Sequence, residues 1–140
     1  MTSLPLSRDS EPVRFLLDTC TFLWMVGGAK ELSPRARQHL VDPANEVFLS
    51  AASAWEIAVK HRLGRLPLPA PPDEFVPAQR AAHGLEPLAI DEEAALHVAK
   101  LPDLHRDPFD RMLVAQALVC GLVLLTPDDG IRQYPVRTVW

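Results

Sequence analysis

RDPFDRMLVAQA, residues 106–117, is the stretch from which the rest of the fold can be worked out. Its pattern predicts the start of a helix, because Asp107 suits the N-cap and Pro108 suits the first helical position, where a missing N–H costs nothing. Asp110 then lies in the first turn, and small apolar residues follow it at spacings of four and three. A carboxylate aligned with apolar residues points toward protein, where it needs a cation or hydrogen-bond donors.

The same two acids also have a purely structural interpretation. Asp-x-x-Asp at a helix start resembles a capping box, and the helix dipole favours acids in a first turn. We keep the capping interpretation for Asp107. For Asp110 the choice depends on whether other acids of the chain reach the same place.

Length and composition limit the class of protein. The 140 residues are enough for one domain with a real core, predicted over 13–140 and preceded by a flexible segment, 1–12. No apolar run is long enough for a membrane span or a signal peptide, so we expect a cytoplasmic protein. Cys20 and Cys120 lack C-x-x-C spacing and are expected to be buried thiols. The net charge of −4 argues against binding nucleic acid by bulk electrostatics, but it does not exclude a nuclease with an acidic metal site.

The remaining chain alternates short apolar runs with helical patterns, which is typical of an α/β fold with a parallel sheet. The most apolar run, Leu122–Leu125, is the best candidate for a central strand. Predicted strands cover 13–17, 46–50, 85–90, 122–125 and 136–140. Predicted helices cover 19–26, 34–41, 50–64, 73–83, 91–101 and the segment that begins at Pro108.

Three further acids occupy unusual positions. Asp18 follows the first strand, and Asp128 follows the strand at 122–125 with Asp129 directly after it. Asp18 is also a possible N-cap of the helix that follows it. Glu56 lies on a helical stripe with Ala52, Val59 and Leu63, although a capping box with Ser53 or an ion pair with Lys60 also explains it.

In an α/β fold, the ends of parallel strands and the starts of the following helices meet at one edge of the sheet. Four carboxylates gathered there repel each other, so a hard cation between them is needed. Oxygen ligands without His or Cys select Mg²⁺ or Mn²⁺, which activate water and stabilise charge on phosphate. The residues therefore indicate metal-dependent hydrolysis of phosphodiester bonds.

Four segments in order resemble PIN-domain nucleases, specifically VapC-type toxins of type II toxin–antitoxin pairs. They are LLDTC at 16–20, SAASAWEIAVK at 50–60, RDPFDRMLVAQ at 106–116 and LLTPD at 124–128. The resemblance covers most of the chain from Val13 onward. It implies a three-layer α/β/α fold with a central, mostly parallel sheet. It also implies a Mg²⁺- or Mn²⁺-dependent ribonuclease with the catalytic and metal-binding acids Asp18, Glu56, Asp110 and Asp128, the last uncertain by one residue.

The resemblance further implies partners. We expect an RNA substrate, a homodimer, and an antitoxin whose C-terminal segment lies near the active site. The helices of Trp24 and Trp55 are candidate contacts, although ordinary core packing explains each Trp at least as well. Basic residues near the acids are candidates for holding the RNA backbone, although solvated charge is the commoner explanation of such runs. These substrate-binding candidates are Lys60, Arg62 and Arg111.

Other classes fit the residues less well. A haloacid-dehalogenase-type phosphatase needs a second Asp two residues after the first, where this chain has Cys20. A receiver domain needs a Lys late in the chain, and none follows Lys100. A catalytically silent binding module with the same fold remains the main alternative.

Overall fold

A five-stranded, entirely parallel sheet forms the centre of the structure, a computed structural model that describes residues 11–140. Residues 1–10 of the predicted flexible segment 1–12 lie outside the described residues. The strands are β1 (Arg14–Leu17), β2 (Glu46–Ser50), β3 (Glu86–Leu88), β4 (Val123–Leu125) and β5 (Thr138–Val139). Their order across the sheet is β3-β2-β1-β4-β5.

Helices connect the strands and cover the sheet. They are α1 (Thr19–Gly27), α2 (Pro34–Val41), α3 (Ala51–Arg62), α4 (Pro72–Ala82), α5 (Glu92–His97), α6 (Pro108–Cys120) and α7 (Asp129–Arg132), with a 3-10 turn at Val98–Lys100. None of these helices in residues 11–140 combines the length and apolarity needed to cross a bilayer.

Alternate residues of the central strand enter two separate hydrophobic clusters. Phe15 and Leu17 pack with side chains of α1, α2 and α4 on one face. Leu16, between them, packs with α6 and α7 on the other face. Because all three side chains are fully buried, β1 is covered on both faces, as the consecutive apolar residues predicted. The three-layer α/β/α fold is therefore confirmed.

The strand order places a switch point beside β1. The chain builds β2 and β3 on one side of β1 and then crosses to build β4 and β5 on the other. Leu17 pairs in register with Leu125, so the residues that follow β1 and β4 emerge side by side at the carboxyl edge. Ligand sites of open α/β sheets form at such points.

The structure corrects several details of the predicted elements. The strand expected at 85–90 is only Glu86–Leu88. The middle strand of the sheet is β1, whereas β4, the best candidate for a central strand, lies between β1 and β5. Helix α7, one turn long, was not predicted. The two thiols are not buried as expected, since Cys20 is exposed and Cys120 is half-buried.

Candidate active site

A cavity of about 230 Å³ lies at the carboxyl edge of the sheet, where β1 and β4 end. The structure brings all four predicted acids to it, from four different segments of the chain. The cavity is lined by Asp18, Thr19, Cys20, Glu56, Lys60, His105, Asp107, Asp110 and Asp128.

Asp18 is buried, with 4% of its surface exposed, and both of its carboxylate oxygens accept hydrogen bonds. Its Oδ1 accepts a hydrogen bond from the backbone N of Thr21 at 2.8 Å, so it caps α1 as the alternative interpretation predicted. Its Oδ2 accepts from the Thr126 hydroxyl, which directly follows β4. Burial raises the pKa of Asp18 above its usual value, against the hydrogen bonds from Thr126 and Thr21, which lower it.

Glu56 is equally buried, at 4% exposure, in the second turn of α3. Its Oε1 accepts a hydrogen bond of 2.6 Å from the Thr19 hydroxyl, and its Oε2 lies 2.5 Å from Lys60 Nζ. The predicted Glu56–Lys60 pair is therefore present. This hydrogen bond raises the pKa of Lys60, which keeps the ammonium charged. The predicted stripe is wrong at Leu63, which is 59% exposed.

Asp110 lies in the first turn of α6, half-buried at the cavity wall. Its Oδ2 is 2.9 Å from Nε2 of His105. Burial raises the pKa of Asp110 to about 6, against the hydrogen bond from His105, and the negative charges of Asp107 and Glu56 add to the increase. The small residues after Asp110 are buried as predicted, with Val114 fully enclosed.

Asp107 is the N-cap of α6, as predicted. Its Oδ1 accepts hydrogen bonds from the backbone N of Phe109 at 2.8 Å and of Asp110 at 3.2 Å. The same side chain also lines the cavity, and it can offer an oxygen within 4.8 Å of ligand atoms of His105 and Asp110. Asp107 therefore adds negative charge to the site, which the capping interpretation alone did not include.

The structure distinguishes the two adjacent acids after β4. Asp128 lines the cavity and caps α7, accepting at Oδ1 from the backbone N of Ile131 at 3.1 Å. The side chain of Asp129 is 96% exposed and lies 3.9 Å from Arg132. Asp128 is therefore the acid that shares the cavity with Asp18.

The charges in the cavity favour binding of a cation. Five carboxylates line it, while Lys60 and His105 are the cavity's residues able to carry positive charge. Carboxylate oxygens in excess of cations are the ligand set of Mg²⁺ and Mn²⁺. His105 and Cys20, which were not among the candidate site residues, also line the cavity. Partial burial and the nearby acids raise the pKa of the Cys20 thiol to about 11, so it is neutral.

The three predicted substrate-binding residues have different surroundings. Lys60 lines the cavity, and Arg62, in the last turn of α3, is exposed outside it. The guanidinium of Arg111 instead donates to the carbonyls of Val98 and Pro102 and to the Tyr134 hydroxyl. These contacts hold protein segments together and do not support a role for Arg111 in binding substrate.

Sequence reasoning missed the polar residues that orient the acids. Thr126 directly follows β4, and Thr19 directly follows Asp18 at the end of β1. Their positions after two strands could have indicated that both hydroxyls lie at the carboxyl edge of the sheet. His105 lies in the loop before α6, and a loop has no periodicity from which its direction can be predicted. Its position five residues before Asp110 carried no signal by itself.

The fold and the cavity define an α/β protein with a cluster of acids at the carboxyl edge of its sheet. Comparison with known proteins identifies the family. The family model "PIN domain" matches residues 15–136, so the chain belongs to the PIN domain family. Ribonuclease VapC22 of Mycobacterium tuberculosis (strain ATCC 25618 / H37Rv) is 30% identical over 130 residues, covering 89% of this chain and 97% of that protein. Ribonuclease VapC16 of the same organism is 46% identical over 56 residues; that match spans 40% of each protein.

Solved structures show the same fold. VapBC2 from Rickettsia felis, bound to a DNA fragment from its promoter, matches with a TM-score of 0.68 and 12% identity, covering 91% of this chain and 99% of the matched chain. VapBC-1 from nontypeable Haemophilus influenzae matches with a TM-score of 0.58 and 18% identity, covering 91% and 97%. At these identities the likeness concerns the fold.

Proposed function

We propose that this protein is a metal-dependent endoribonuclease that acts as the toxin of a toxin–antitoxin pair. The observation that carries the proposal is the convergence of Asp18, Glu56, Asp110 and Asp128 in one cavity at the switch point of the sheet. Membership of the PIN domain family and the relatives named ribonuclease VapC16 and VapC22 support the same activity.

The four acids are the proposed ligands of Mg²⁺ or Mn²⁺. Such an ion, when bound, lowers the pKa of water and stabilises charge that develops on phosphate. The chain's own residues supply the charge and the orientation of the site. The Thr126 hydroxyl fixes Asp18, and the Thr19 hydroxyl fixes Glu56, so two buried carboxylates are preorganised before any ion binds.

RNA is the proposed substrate, and Lys60 is its best-placed contact. Lys60 lines the cavity and its side chain is 45% exposed, so its ammonium is accessible to a phosphate of bound RNA. Arg62, exposed in the last turn of α3 and outside the cavity, is the proposed contact with the RNA backbone beyond the cavity. Two local cations offset the overall negative charge near the site.

Cleavage of end-labelled RNA by the purified protein tests the activity. We expect cleavage with Mg²⁺ or Mn²⁺ and none with EDTA, because the acids alone do not activate water. Asp128→Asn should lower the rate at least 100-fold, whereas the matched control Asp129→Asn should cleave like the wild type. Cleavage that survives EDTA and dialysis contradicts metal dependence, and a folded protein that binds Mn²⁺ but cuts no RNA supports the silent binding module.

We also propose an antitoxin protein and a second copy of the chain as partners, acting together in the cytoplasm. The solved structures with this fold include the VapBC complexes described above. On this chain, Trp55 of α3 and Leu63, the C-cap residue of α3, are each 59% exposed. The Trp55 ring contacts Phe109 edge-on at 4.8 Å, which extends the apolar surface toward the start of α6. Trp24, the other predicted contact, is half-buried and packs against Trp140.

Expression with and without the adjacent upstream reading frame tests the partners. We expect growth arrest and RNA fragments from the protein alone, and neither when its neighbour is expressed with it. Light scattering should give a mass near twice 15.5 kDa for the purified protein. Trp55→Ser should weaken association with the partners at least tenfold. The control Leu96→Ser, which removes an exposed apolar side chain of α5, should not weaken it. A monomer that co-purifies with no partner contradicts this part of the proposal.

A further inference from the structure

The His105 side chain has contacts on several sides although it comes from a loop. Its Nε2 lies 2.9 Å from Asp110 Oδ2, and its side chain is 29% exposed. On the other side lies Gly130 of α7. A Cβ added at Gly130 would lie 3.3 Å from both Cε1 and Nδ1 of the His105 ring. The ring therefore packs closely between the start of α6 and the start of α7.

A second set of contacts holds the backbone of the same loop. Arg111 Nη2 donates to the Val98 carbonyl at 3.0 Å, and Nη1 donates to the Pro102 carbonyl at 2.9 Å. Arg111 Nη1 also donates to the Tyr134 hydroxyl at 3.0 Å, and that hydroxyl lies 3.4 Å from the His105 carbonyl oxygen. Tyr134 is 3% exposed, so its hydroxyl is fixed by the core. Hydrogen bonds thus fix the Val98 carbonyl in the 3-10 turn before the loop, and the Pro102 and His105 carbonyls within it.

From these contacts we infer that His105 is a positioning residue that orients the Asp110 carboxylate for metal binding. The inference rests on the proposed function, in which Asp110 is a metal ligand. The terminal torsion of an Asp side chain is broad, so a carboxylate without a partner samples many orientations. A hydrogen bond to Oδ2 removes that freedom and leaves Oδ1 for the ion. Outer partners of metal ligands act in this way, and their loss typically costs about 10–100-fold in metal affinity or activity.

Two substitutions at His105 separate the hydrogen bond from the packing. His105→Phe keeps an aromatic ring and removes the donor, whereas His105→Gln places an amide N–H near the position of Nε2. We expect Mn²⁺ affinity, measured by calorimetry, to fall about 10–100-fold in His105→Phe and to recover largely in His105→Gln. In His105→Phe, the kcat for RNA cleavage at limiting Mn²⁺ should fall together with the Mn²⁺ affinity, while the KM for RNA stays close to that of the wild type.

His83→Phe is the matched control. His83 is also half-buried and also makes one ring-nitrogen hydrogen bond, to the Gln79 carbonyl at 2.9 Å, but it does not line the cavity. It should bind Mn²⁺ like the wild type. If His105→Phe does not fold, Tyr134→Phe tests the same chain of contacts, because it keeps the buried ring and removes only the hydroxyl beside His105. We then expect a severalfold loss of Mn²⁺ affinity.

Clear results overturn the inference. Wild-type Mn²⁺ affinity in His105→Phe, or no recovery in a folded His105→Gln, shows that the donor does not position Asp110. Unchanged affinity in Tyr134→Phe, where that variant replaces His105→Phe, has the same meaning. A directly bound imidazole nitrogen in the pulsed EPR spectrum of the Mn²⁺ protein makes His105 a ligand instead. These outcomes leave the proposed function intact, whereas a wild type that neither binds Mn²⁺ nor cuts RNA overturns both.

Discussion

At the scale of single residues, the acids of the cavity are held in their places at an electrostatic cost. Asp18 and Asp110 both have pKa values raised mainly by burial, and neighbouring carboxylates add to the effect in each case. The folded protein therefore pays an electrostatic cost for these carboxylates, which the proposed metal ion would reduce by its positive charge. This is the usual state of a site built for a function other than stability.

The first prediction follows from Asp110. Its folded pKa of about 6 lies above the ordinary value of 3.8, so the folded state binds the proton more tightly than the unfolded state between these values. The stability of the metal-free protein should therefore fall as pH rises from about 4 to about 6, by at most about 3 kcal/mol, and stay low above that range. Asp110→Asn has no proton to release at this position, so its stability should not fall over this pH range, and its amide oxygen can still accept a hydrogen bond from His105.

Melting temperatures in EDTA as a function of pH provide the measurement. Asp110→Asn should melt above the wild type at pH 7.5, and the difference should disappear near pH 4. Asp129→Asn, an exposed acid, serves as the control and should follow the wild type throughout. If Asp110→Asn melts well below the wild type at pH 7.5, Asp110 is a structural residue, and the metal-ligand assignment fails.

At the scale of elements, α6 connects the active site to the core. Its first turn carries Asp110, and its later turns carry buried side chains, among them Gln116, which is 1% exposed. The Gln116 amide accepts from the Ser50 hydroxyl at the start of α3 and donates to the Ala89 carbonyl at 3.2 Å. The position of α6 is therefore fixed against two neighbouring segments by polar contacts as well as by packing.

The second prediction concerns the N-cap of this helix. Asp107→Ala removes the acceptor for two backbone N–H groups and should cost about 1 kcal/mol, whereas Asp107→Ser keeps an acceptor and should cost little. Thermal unfolding in EDTA measures both. Asp91→Ala removes the matching N-cap of α5 and should lose similar stability without changing Mn²⁺ affinity.

Asp107 differs from Asp91 because it also lines the cavity. Asp107→Ser should therefore lower Mn²⁺ affinity modestly, through the loss of one negative charge, and by less than Asp110→Asn does. Equal losses of Mn²⁺ affinity in the two variants would show that Asp107 binds the ion as Asp110 does, in addition to capping α6.

At the scale of the whole molecule, the four proposed ligands tie together distant parts of the chain. Asp18 caps α1, Glu56 belongs to α3, Asp110 belongs to α6 and Asp128 caps α7. An ion held by all four acids would connect segments on both faces of the sheet, and only the folded state would offer that site. Its binding free energy therefore adds to the stability of the entire domain.

The third prediction measures this linkage. Mn²⁺ at about 100 times its Kd should stabilise the wild type by about 2.7 kcal/mol, which raises the melting temperature by roughly 10 °C for a domain of this size. Asp18→Asn should gain far less, because it loses an anionic ligand, while Asp129→Asn should gain as much as the wild type. An equal response in Asp18→Asn shows that Mn²⁺ binds elsewhere.

The amino-acid sequence determined the local features of this protein. Consecutive apolar residues at 15–17 specified a strand covered on both faces, and Asp107 with Pro108 specified the start of α6. Acids placed directly after strands or in first turns were predicted to meet at one edge, and the structure brings them into one cavity. These features depend on residue spacing and on hydrogen bonds between residues close in sequence, so they do not require knowledge of the tertiary structure.

The tertiary structure alone decided which neighbours those residues have. The order β3-β2-β1-β4-β5 placed Thr126 against Asp18, across 108 residues of chain. The turn of α7 directed Asp128 into the cavity and left Asp129 in solvent. A loop without periodicity brought His105 to Asp110. Such contacts depend on register and on the packing of distant segments, and therefore no local pattern in the sequence encodes them.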